Sequence, residues 1–218
     1  MHKIEVHQFL STKKKYLSPK GEYEGDMLCQ ECENIRLGQL DDYGKLVLFP
    51  NSKSSADLEE IVLSNPIDGA KMSVISGYDY GKFKLFLLSI LWRSSISSRE
   101  MFKEGKIPTE DEENIRKMIL NNNSGNIDEY PITLMSYLND TSVARDLIMQ
   151  PIRSKTEERL IISFLIAGFC FMFYVSSKYS KMEEIEKYSL THKRFCILHI
   201  PLGKGWDFIK NFCGITNE

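Results

Sequence analysis

The sequence lacks the features that mark secreted, membrane-spanning or strongly nucleic-acid-attracting proteins. Its five cysteines are odd in number and irregularly spaced, so they do not form the framework of a disulfide-stabilised domain. The start of the chain, MHKIEVHQFL, has no apolar core of the kind that a signal peptide carries. A net charge of -2 provides no overall attraction to nucleic acid and leaves only a local basic surface to consider. These absences predict a cytoplasmic protein.

The sequence also lacks an apolar run long enough for a transmembrane helix. Its longest run, residues 160–175, falls short of the about 20 residues that a helix needs to cross a bilayer. The run is rich in Phe and Ile, which suit a pleated surface, and Gly168 interrupts it where a bulge or tight bend would lie. We therefore expect one or two buried strands here and no membrane partner.

The segment from residue 79 to residue 98 contains the clearest helical pattern. Apolar side chains recur there at the spacing of one helical face, at Phe83, Phe86, Leu87, Ile90 and Leu91. Further apolar residues widen that face until only a narrow polar line remains. A helix this apolar must pack on most of its sides, so the pattern predicts a helix at the centre of the fold.

A second helix is predicted to begin near Thr109. Thr109 with Glu112 three residues later has the spacing of a capping box, in which the two side chains satisfy free backbone N–H groups. The acids at 110–113 are interpreted as first-turn residues that offset the helix dipole, and the string NNNSG at 121–125 ends the helix.

Several shorter elements follow from local patterns and from their flanking proline and glycine residues. Leu58, Ile61 and Val62 suggest a short amphipathic helix that ends before Pro66. The remaining predictions are strands near 72–75 and 195–200 and a last helix near 206–212.

The main chemical clue is a pair of cysteines, Cys29 and Cys32, in the string MLCQECEN. Two thiolates at this C-x2-C spacing can share one tetrahedral Zn²⁺ ion. One such pair supplies half of a closed site, and the sequence has no second C-x2-C pair. The alternative is a pair of reduced, half-buried thiols at the start of a helix.

The remaining zinc ligands stay open at this point. His2 and His7 lie upstream of the cysteine pair, and His192 with Cys196 has an i, i+4 spacing that would put two ligands on one helical face. Any of these side chains has the donor atoms that zinc accepts.

The chain resembles a group of largely uncharacterised bacterial proteins described as HNH-endonuclease-like or treble-clef proteins. The resemblance rests on GEYEGDMLCQECEN, followed by DDYGKLVLF, YDYGKFKLFLLSILWRSSISS and ENIRKMIL, and covers most of residues 21–121. In that group an upstream C-x2-C pair and a histidine-bearing strand precede the C-x2-C knuckle that matches Cys29 and Cys32. The resemblance therefore implies a zinc-bound hairpin-and-helix unit.

The resemblance implies roles for four residues. Cys29 and Cys32 match the second zinc pair, Glu33 matches the acidic residue after it, and His7 matches the histidine of the upstream strand. An HNH-type site uses the histidine as general base on water, with Mg²⁺ stabilising the charge on the phosphate. This chain departs from the pattern because the upstream cysteine pair is absent and EVHQFL lacks the Ile-Pro that follows the histidine.

Together these observations predict an α+β fold with two parts. Residues 1–50 are expected to form a degenerate treble-clef-like knuckle, and residues 51–218 a mainly helical body with a few buried strands. The expected function is binding or cleavage of nucleic acid, in a bacterial anti-phage defence or mobile-element setting, with structural zinc and with Mg²⁺ for cleavage. The alternative is a non-enzymatic protein-interaction subunit whose metal site has decayed.

Overall fold

The computed structural model shows an α+β fold built around a large sheet. It describes residues 4–5, 17–18, 24, 27–50, 57–65, 70–156, 159–175 and 187–214. The strands in these residues are β1 (Ile4–Glu5), β2 (Leu17–Ser18), β3 (Glu59–Ser64), β4 (Lys71–Ser76), β5 (Ile132–Ser136), β6 (Ile152–Lys155), β7 (Leu160–Ile166), β8 (Phe169–Val175) and β9 (Phe195–His199). The helices are a π-helix (Cys32–Leu37) that continues into α1 (Gly38–Leu48), then α2 (Tyr80–Ile96), a 3-10 helix (Glu100–Gly105), α3 (Thr109–Leu120) and α4 (Gly205–Phe212).

Seven of the strands form one mixed sheet in the order β3-β4-β9-β5-β8-β7-β6. Neighbouring strands are antiparallel except β5 and β9, which run parallel. Strands β1 and β2 pair with each other in a separate two-stranded sheet. The sheet is larger than the few strands expected from the sequence, and the predicted α+β class is confirmed.

The two faces of the sheet bury different clusters. The strand register places on one face the apolar residues that share a core with α1, α2 and α3; they include Ile75, Leu134, Phe171, Phe173, Phe195 and Ile197. The opposite face contributes Leu165 and Cys170 to a smaller cluster that also contains Ile209 of α4. The alternation of side chains along each strand produces this two-layered burial.

Helix α2 lies at the centre of the larger core, as its apolar pattern predicts. Phe83, Leu87 and Leu91 have no exposed surface. Asp79 precedes the helix and its side chain accepts a hydrogen bond from the backbone N–H of Lys82 at 3.0 Å, which satisfies one free donor of the first turn. Burial on most sides and a capped start together explain why this segment forms a helix.

The predicted buried strands of the apolar run are confirmed as the hairpin β7–β8. Its strands pair in continuous register from Leu160 with Val175 to Ile166 with Phe169. The two connecting residues, Ala167 and Gly168, both have positive φ, which matches the twist of a tight hairpin turn. None of the helices in the described part of the chain has both the length and the apolar character of a membrane span.

Two local predictions are wrong. Residues 59–64, which the spacing of Leu58, Ile61 and Val62 assigned to a helix, form strand β3 in continuous register with β4. A run of six residues is compatible with the apolar spacing of a helix and with that of a strand, and pairing with β4 makes it a strand. The strand predicted near 72–75 is β4 itself.

The capping box at the start of α3 is the second wrong prediction. Pro108 occupies the N-cap position, Thr109 is already helical, and no side chain caps this end. Glu112 instead accepts a hydrogen bond from the Ser95 hydroxyl of α2. The neighbouring acid Asp111 is buried and accepts from the Tyr130 hydroxyl at 2.9 Å. Both carboxylates therefore hold α3 in the tertiary structure.

Helix α1 packs tightly against α2. A Cβ atom at Gly44 would collide with the ring of Phe86, so the absence of a side chain allows this close approach. Asp41 accepts two hydrogen bonds from the Arg93 guanidinium, at 3.0 and 2.8 Å. These contacts position α1, and the π-helix that precedes it, against α2. A domain boundary at residue 50 stays a prediction.

Candidate functional site

The Cys29–Cys32 pair lies where the chain enters the helix that leads into α1. The backbone N–H of Glu33 donates to the carbonyl of Cys29 at 3.0 Å and closes the first turn. The backbone N–H of Cys32 donates to Cys29 Sγ at 3.3 Å, so this sulfur caps the turn. Cys29 is exposed and Cys32 is half-buried.

The two thiols differ in their electrostatics. The hydrogen bond from the Cys32 thiol, and then the backbone N–H of Cys32, lower the pKa of Cys29. The same side-chain hydrogen bond, followed by burial, raises the pKa of Cys32, and the positive charge of Arg36 partly opposes that rise. Cys29 is therefore the thiol that more readily reaches the thiolate form in which sulfur ligates a metal.

The helix that follows the pair has an unusual geometry. Residues Cys32–Leu37 form a π-helix, and the N–H of Gly38 donates to the carbonyls of Glu33 and Ile35. Such segments are rare and are frequent at functional sites. Glu33 projects from this segment as an exposed side chain. The structure therefore places Glu33 next to the cysteine pair, on the surface, where a ligand can reach it.

A closed zinc site needs four protein ligands. Within them, no three His, Cys, Asp or Glu side chains form a group that could hold a metal ion. His2 and His7 lie outside the described residues. The prediction that His192 and Cys196 share a helical face is wrong, because Cys196 is buried in strand β9. The His192 ring packs against the Tyr80 ring, with 4.0 Å between the two ring centroids.

A cavity of about 610 Å³ opens among the π-helix, α1, the start of α2 and the end of α3. Its size falls within the range of small-molecule sites. The residues that line it are Arg36, Gln39, Leu40, Asp42, Tyr43, Leu46, Lys82, Ile119 and Asn122. The cavity thus combines two cationic side chains, one carboxylate, two amides, an aromatic ring and three aliphatic side chains.

The cationic and aromatic groups of this cavity are held by neighbouring elements. Arg36 donates a hydrogen bond to the carbonyl of Leu120 at the end of α3. Lys82 Nζ lies 5.6 Å from the centroid of the Tyr43 ring, within the range of a cation–π interaction. The Tyr43 hydroxyl accepts from the N–H of Asp79 at 2.6 Å, and burial raises the pKa of Tyr43. Tyr43 is therefore a neutral, oriented ring.

Asn122 reaches the cavity because of how α3 ends. The N–H of Asn123 donates to the carbonyl of Met118, and the N–H of Asn122 donates to that of Ile119, which is the Schellman arrangement. Asn122 has a φ of 50°, the left-handed conformation that asparagine tolerates better than most residues. The helix stop predicted at NNNSG is confirmed, and it also contributes a cavity residue.

Sequence reasoning missed Arg36, Tyr43, Lys82 and Asn122 as site residues. They come from three separate segments, because Arg36 and Tyr43 share the continuous helix of residues 32–48, and the packing of α1, α2 and α3 brings them together. The available signal was weak: Lys82 belongs to the narrow polar line of an otherwise apolar helix. Arg36 is the residue that connects the two features, since it lines the cavity and its charge acts on Cys32.

A second polar cluster occurs on the sheet. Ser73 Oγ lies 2.6 Å from His199 Nε2, and the side-chain amide of Asn139 lies 3.5 Å from His199 Nδ1. The order serine, histidine, asparagine resembles that of a nucleophilic triad. Ser73 has no exposed surface and lies in the middle of β4. A substrate has no access to its hydroxyl, so this cluster holds strands β4 and β9 together.

Comparison of the chain with protein-family models, with curated proteins and with solved structures found no match.

Proposed function

We propose that this chain is a treble-clef protein of the HNH-like class that binds nucleic acid through the knuckle and its adjoining cavity. The observation that carries the proposal is the placement of Arg36. It lies one helical turn after Cys32, influences the pKa of that thiol, and lines a cavity with a second cation and an aromatic ring. A metal-bound knuckle would therefore adjoin groups that suit a nucleotide.

The cysteine pair fits one half of a zinc site. Cys29 and Cys32 would hold the ion, and the backbone N–H donated to Cys29 Sγ is the type of contact that stabilises a metal-bound thiolate. The other ligands would come from the preceding residues, among which His2 is a candidate, while His7 matches the histidine that serves as general base in the family pattern. Structural zinc contributes directly to folding because its ligands are brought together only in the folded chain.

The cavity groups fit the parts of a nucleotide. Arg36 and Lys82 carry the charges that phosphate contacts need. The Tyr43 ring offers a surface on which a base can stack, and base–aromatic stacking contributes about 1–3 kcal/mol per base. Gln39 and Asn122 present amide donors and acceptors for a base edge. Single-stranded nucleic acid, whose bases are free to stack, is the expected ligand.

Cleavage would depend on Glu33 and His7. Glu33 is exposed beside the cysteine pair, where its carboxylate can ligate Mg²⁺. Bound Mg²⁺ would stabilise charge on the phosphate, while His7 removes a proton from the attacking water. This catalytic half of the proposal requires His7 to lie near Glu33.

Metal content tests the zinc half. Elemental analysis should find about one zinc per chain in the wild type and a clear loss in Cys29→Ser. Cys213→Ser is a control because Cys213, like Cys32, is a half-buried free thiol, but it lies after α4. Equal zinc in the wild type and Cys29→Ser would contradict the proposal.

Binding to fluorescent oligonucleotides tests the nucleic-acid half. Anisotropy titrations with single-stranded DNA, duplex DNA and RNA should show that Arg36→Ala and Lys82→Ala each weaken binding by about tenfold. Lys204→Ala is the control, since Lys204 is an exposed lysine on the far side of the sheet that pairs with Asp207. Loss of affinity in all three variants alike would indicate non-specific attraction only.

A non-enzymatic interaction subunit is the second candidate. One observation favours it: strand β3 exposes apolar side chains. A purified protein that holds no zinc and leaves single-stranded and plasmid DNA intact with added Mg²⁺ would support this candidate over the first.

A further inference from the structure

Strand β3 is an exposed, apolar edge of the large sheet. It pairs with β4 on one side and is the terminal strand in the sheet order of the described residues. Every residue of the strand is exposed, and the side chains of Ile61, Val62 and Leu63 are 61%, 57% and 47% accessible. An unpaired strand edge presents free N–H and C=O groups to another strand.

This edge carries little of the usual protection against pairing, since its charged side chains are confined to Glu59 and Glu60 at its start. The strand, EEIVLS, contains no lysine or proline, and its register with β4 runs without a bulge from Glu59 with Ser76 to Ser64 with Lys71. Proteins that keep an edge unpaired commonly use such devices. A long apolar edge without them is expected to have a partner.

The apolar character continues from the edge onto the sheet. Ile61 and Leu63 lie on the same face as their β4 partners Val74 and Met72, and both partners are half-exposed. Val62 lies on the opposite face, beside Ser73. A partner strand would therefore cover apolar side chains on both faces of β3.

The sequence of β3 is complementary to itself. A two-fold axis perpendicular to the sheet keeps each side chain on its own face of the sheet. Side chains alternate between the faces along a strand, so antiparallel self-pairing must place an even-numbered residue opposite an even-numbered one and an odd-numbered residue opposite an odd-numbered one. A register centred on Val62 places Val62 opposite itself, Ile61 opposite Leu63, and Glu60 opposite Ser64. Apolar residues then meet apolar residues, and the carboxylate meets a hydroxyl.

Other arrangements of the same strand are poorer. A register centred on Ile61 would put Glu60 opposite Val62 and Glu59 opposite Leu63. Parallel pairing in register would set each glutamate beside its own copy, and like charges on facing positions are destabilising. One arrangement is therefore favoured by both charge and apolar contact.

We propose that β3 pairs with β3 of a second copy of this chain, in the antiparallel register centred on Val62. The two sheets join into one continuous sheet across the two-fold axis. The interface is isologous, so the same edge is used by both copies and no edge of β3 is left for further association.

Light scattering coupled to gel filtration tests the association. The wild type should show twice the protomer mass of 25.2 kDa, with dissociation on dilution. Val62→Lys should weaken the dimer at least about tenfold, because two charges would meet at the axis. Leu202→Lys is the matched control, since Leu202 is 76% exposed on a loop and should leave the dimer intact. A monomeric wild type, or a dimer that Val62→Lys leaves unchanged, would overturn the proposal.

Cysteine cross-linking tests the register. Val62→Cys should form an intermolecular disulfide under mild oxidation, since directly opposed Cβ atoms lie about 4.5–5.5 Å apart. Ile61→Cys should cross-link far less, because its counterpart in the second copy is two residues away along the strand. The wild type, with its exposed Cys29, controls for cross-links through native thiols. Stronger cross-linking by Ile61→Cys than by Val62→Cys would overturn this register.

Discussion

Helix α2 and the π-helix Cys32–Leu37 are both helical, yet they differ in what surrounds them. Helix α2 is buried on nearly every side, whereas the π-helix after Cys29 exposes four of its six residues. The core of α2 is made by many interchangeable apolar contacts, while the knuckle depends on a few polar groups in a defined geometry. The comparison separates a region that stabilises the fold from one that offers chemistry.

Truncation of α2 should have the largest effect on stability. Leu87→Ala is expected to lower the free energy of unfolding by about 2–5 kcal/mol, because it leaves a cavity among buried side chains. Ile90→Ala, on the half-exposed side of the same helix, should cost less. Urea denaturation of both variants measures the difference. A loss below about 1 kcal/mol for Leu87→Ala, outside that usual range, would mean that α2 is not the core element.

Zinc should stabilise the knuckle only when both thiols are present. Free zinc at 100 times its dissociation constant would raise the unfolding free energy of the wild type by about 2.7 kcal/mol. In Cys29→Ser the same addition should have little effect, since one of the two thiolates is gone. Thermal melts with zinc and with a chelator measure this. Equal zinc-induced shifts in the two proteins would remove the proposed role of Cys29.

The buried lysine of α2 should make stability depend on pH. Lys84 is 2% exposed, its Nζ donates to the Tyr80 hydroxyl at 3.1 Å, and burial lowers its pKa to about 8. Below pH 8 both the folded and the unfolded chain carry the proton. Between pH 8 and the unfolded pKa of 10.5 the unfolded chain binds more protons, so stability rises with pH.

The size of that effect is measurable against a variant without the charge. Relative to Lys84→Met, the wild type should gain about 2 kcal/mol of unfolding free energy between pH 7 and pH 9.5. Comparing the two proteins cancels the titration of groups without a contact to Lys84, such as Tyr78, whose pKa burial raises. Parallel pH profiles for the two proteins would show that Lys84 keeps an ordinary pKa.

Glu33→Gln should have the smallest effect on stability and a selective effect on activity. The side chain is exposed, so the substitution should change the unfolding free energy by less than about 0.5 kcal/mol. It should leave zinc content unchanged and abolish Mg²⁺-dependent cleavage of single-stranded DNA, because it removes the carboxylate charge. Unchanged cleavage by Glu33→Gln would exclude this residue from the proposed catalysis.

Much of the fold was predictable where the apolar pattern of a segment is compatible with one type of secondary structure only. Helix α2, the hairpin β7–β8 and strand β9 follow from long or strictly apolar patterns, and the predicted helix near 206–212 is α4. Strand β3 was not predictable from its six residues, because its pairing with β4 overrides a helix-like spacing. The capping box predicted at Thr109 does not form, because the Glu112 carboxylate accepts a hydrogen bond from the Ser95 hydroxyl of α2.

The candidate site was predictable only at the cysteine pair, whose C-x2-C spacing is a local property of the chain. The cavity was not predictable, since Arg36, Tyr43, Lys82 and Asn122 are separated along the sequence. Their proximity depends on contacts such as Asp41 with Arg93, which join α1 to α2. No pattern within a single segment contains that information.

The sequence by itself determined which segments are buried and where the reactive thiols lie, because apolar periodicity and cysteine spacing are encoded within a few turns of chain. Only the tertiary structure decided which side chains share the cavity and which strand forms the edge of the sheet. The physical reason is that these features depend on packing between distant segments. Arg36, for example, lines the cavity together with residues of α1, α2 and the end of α3.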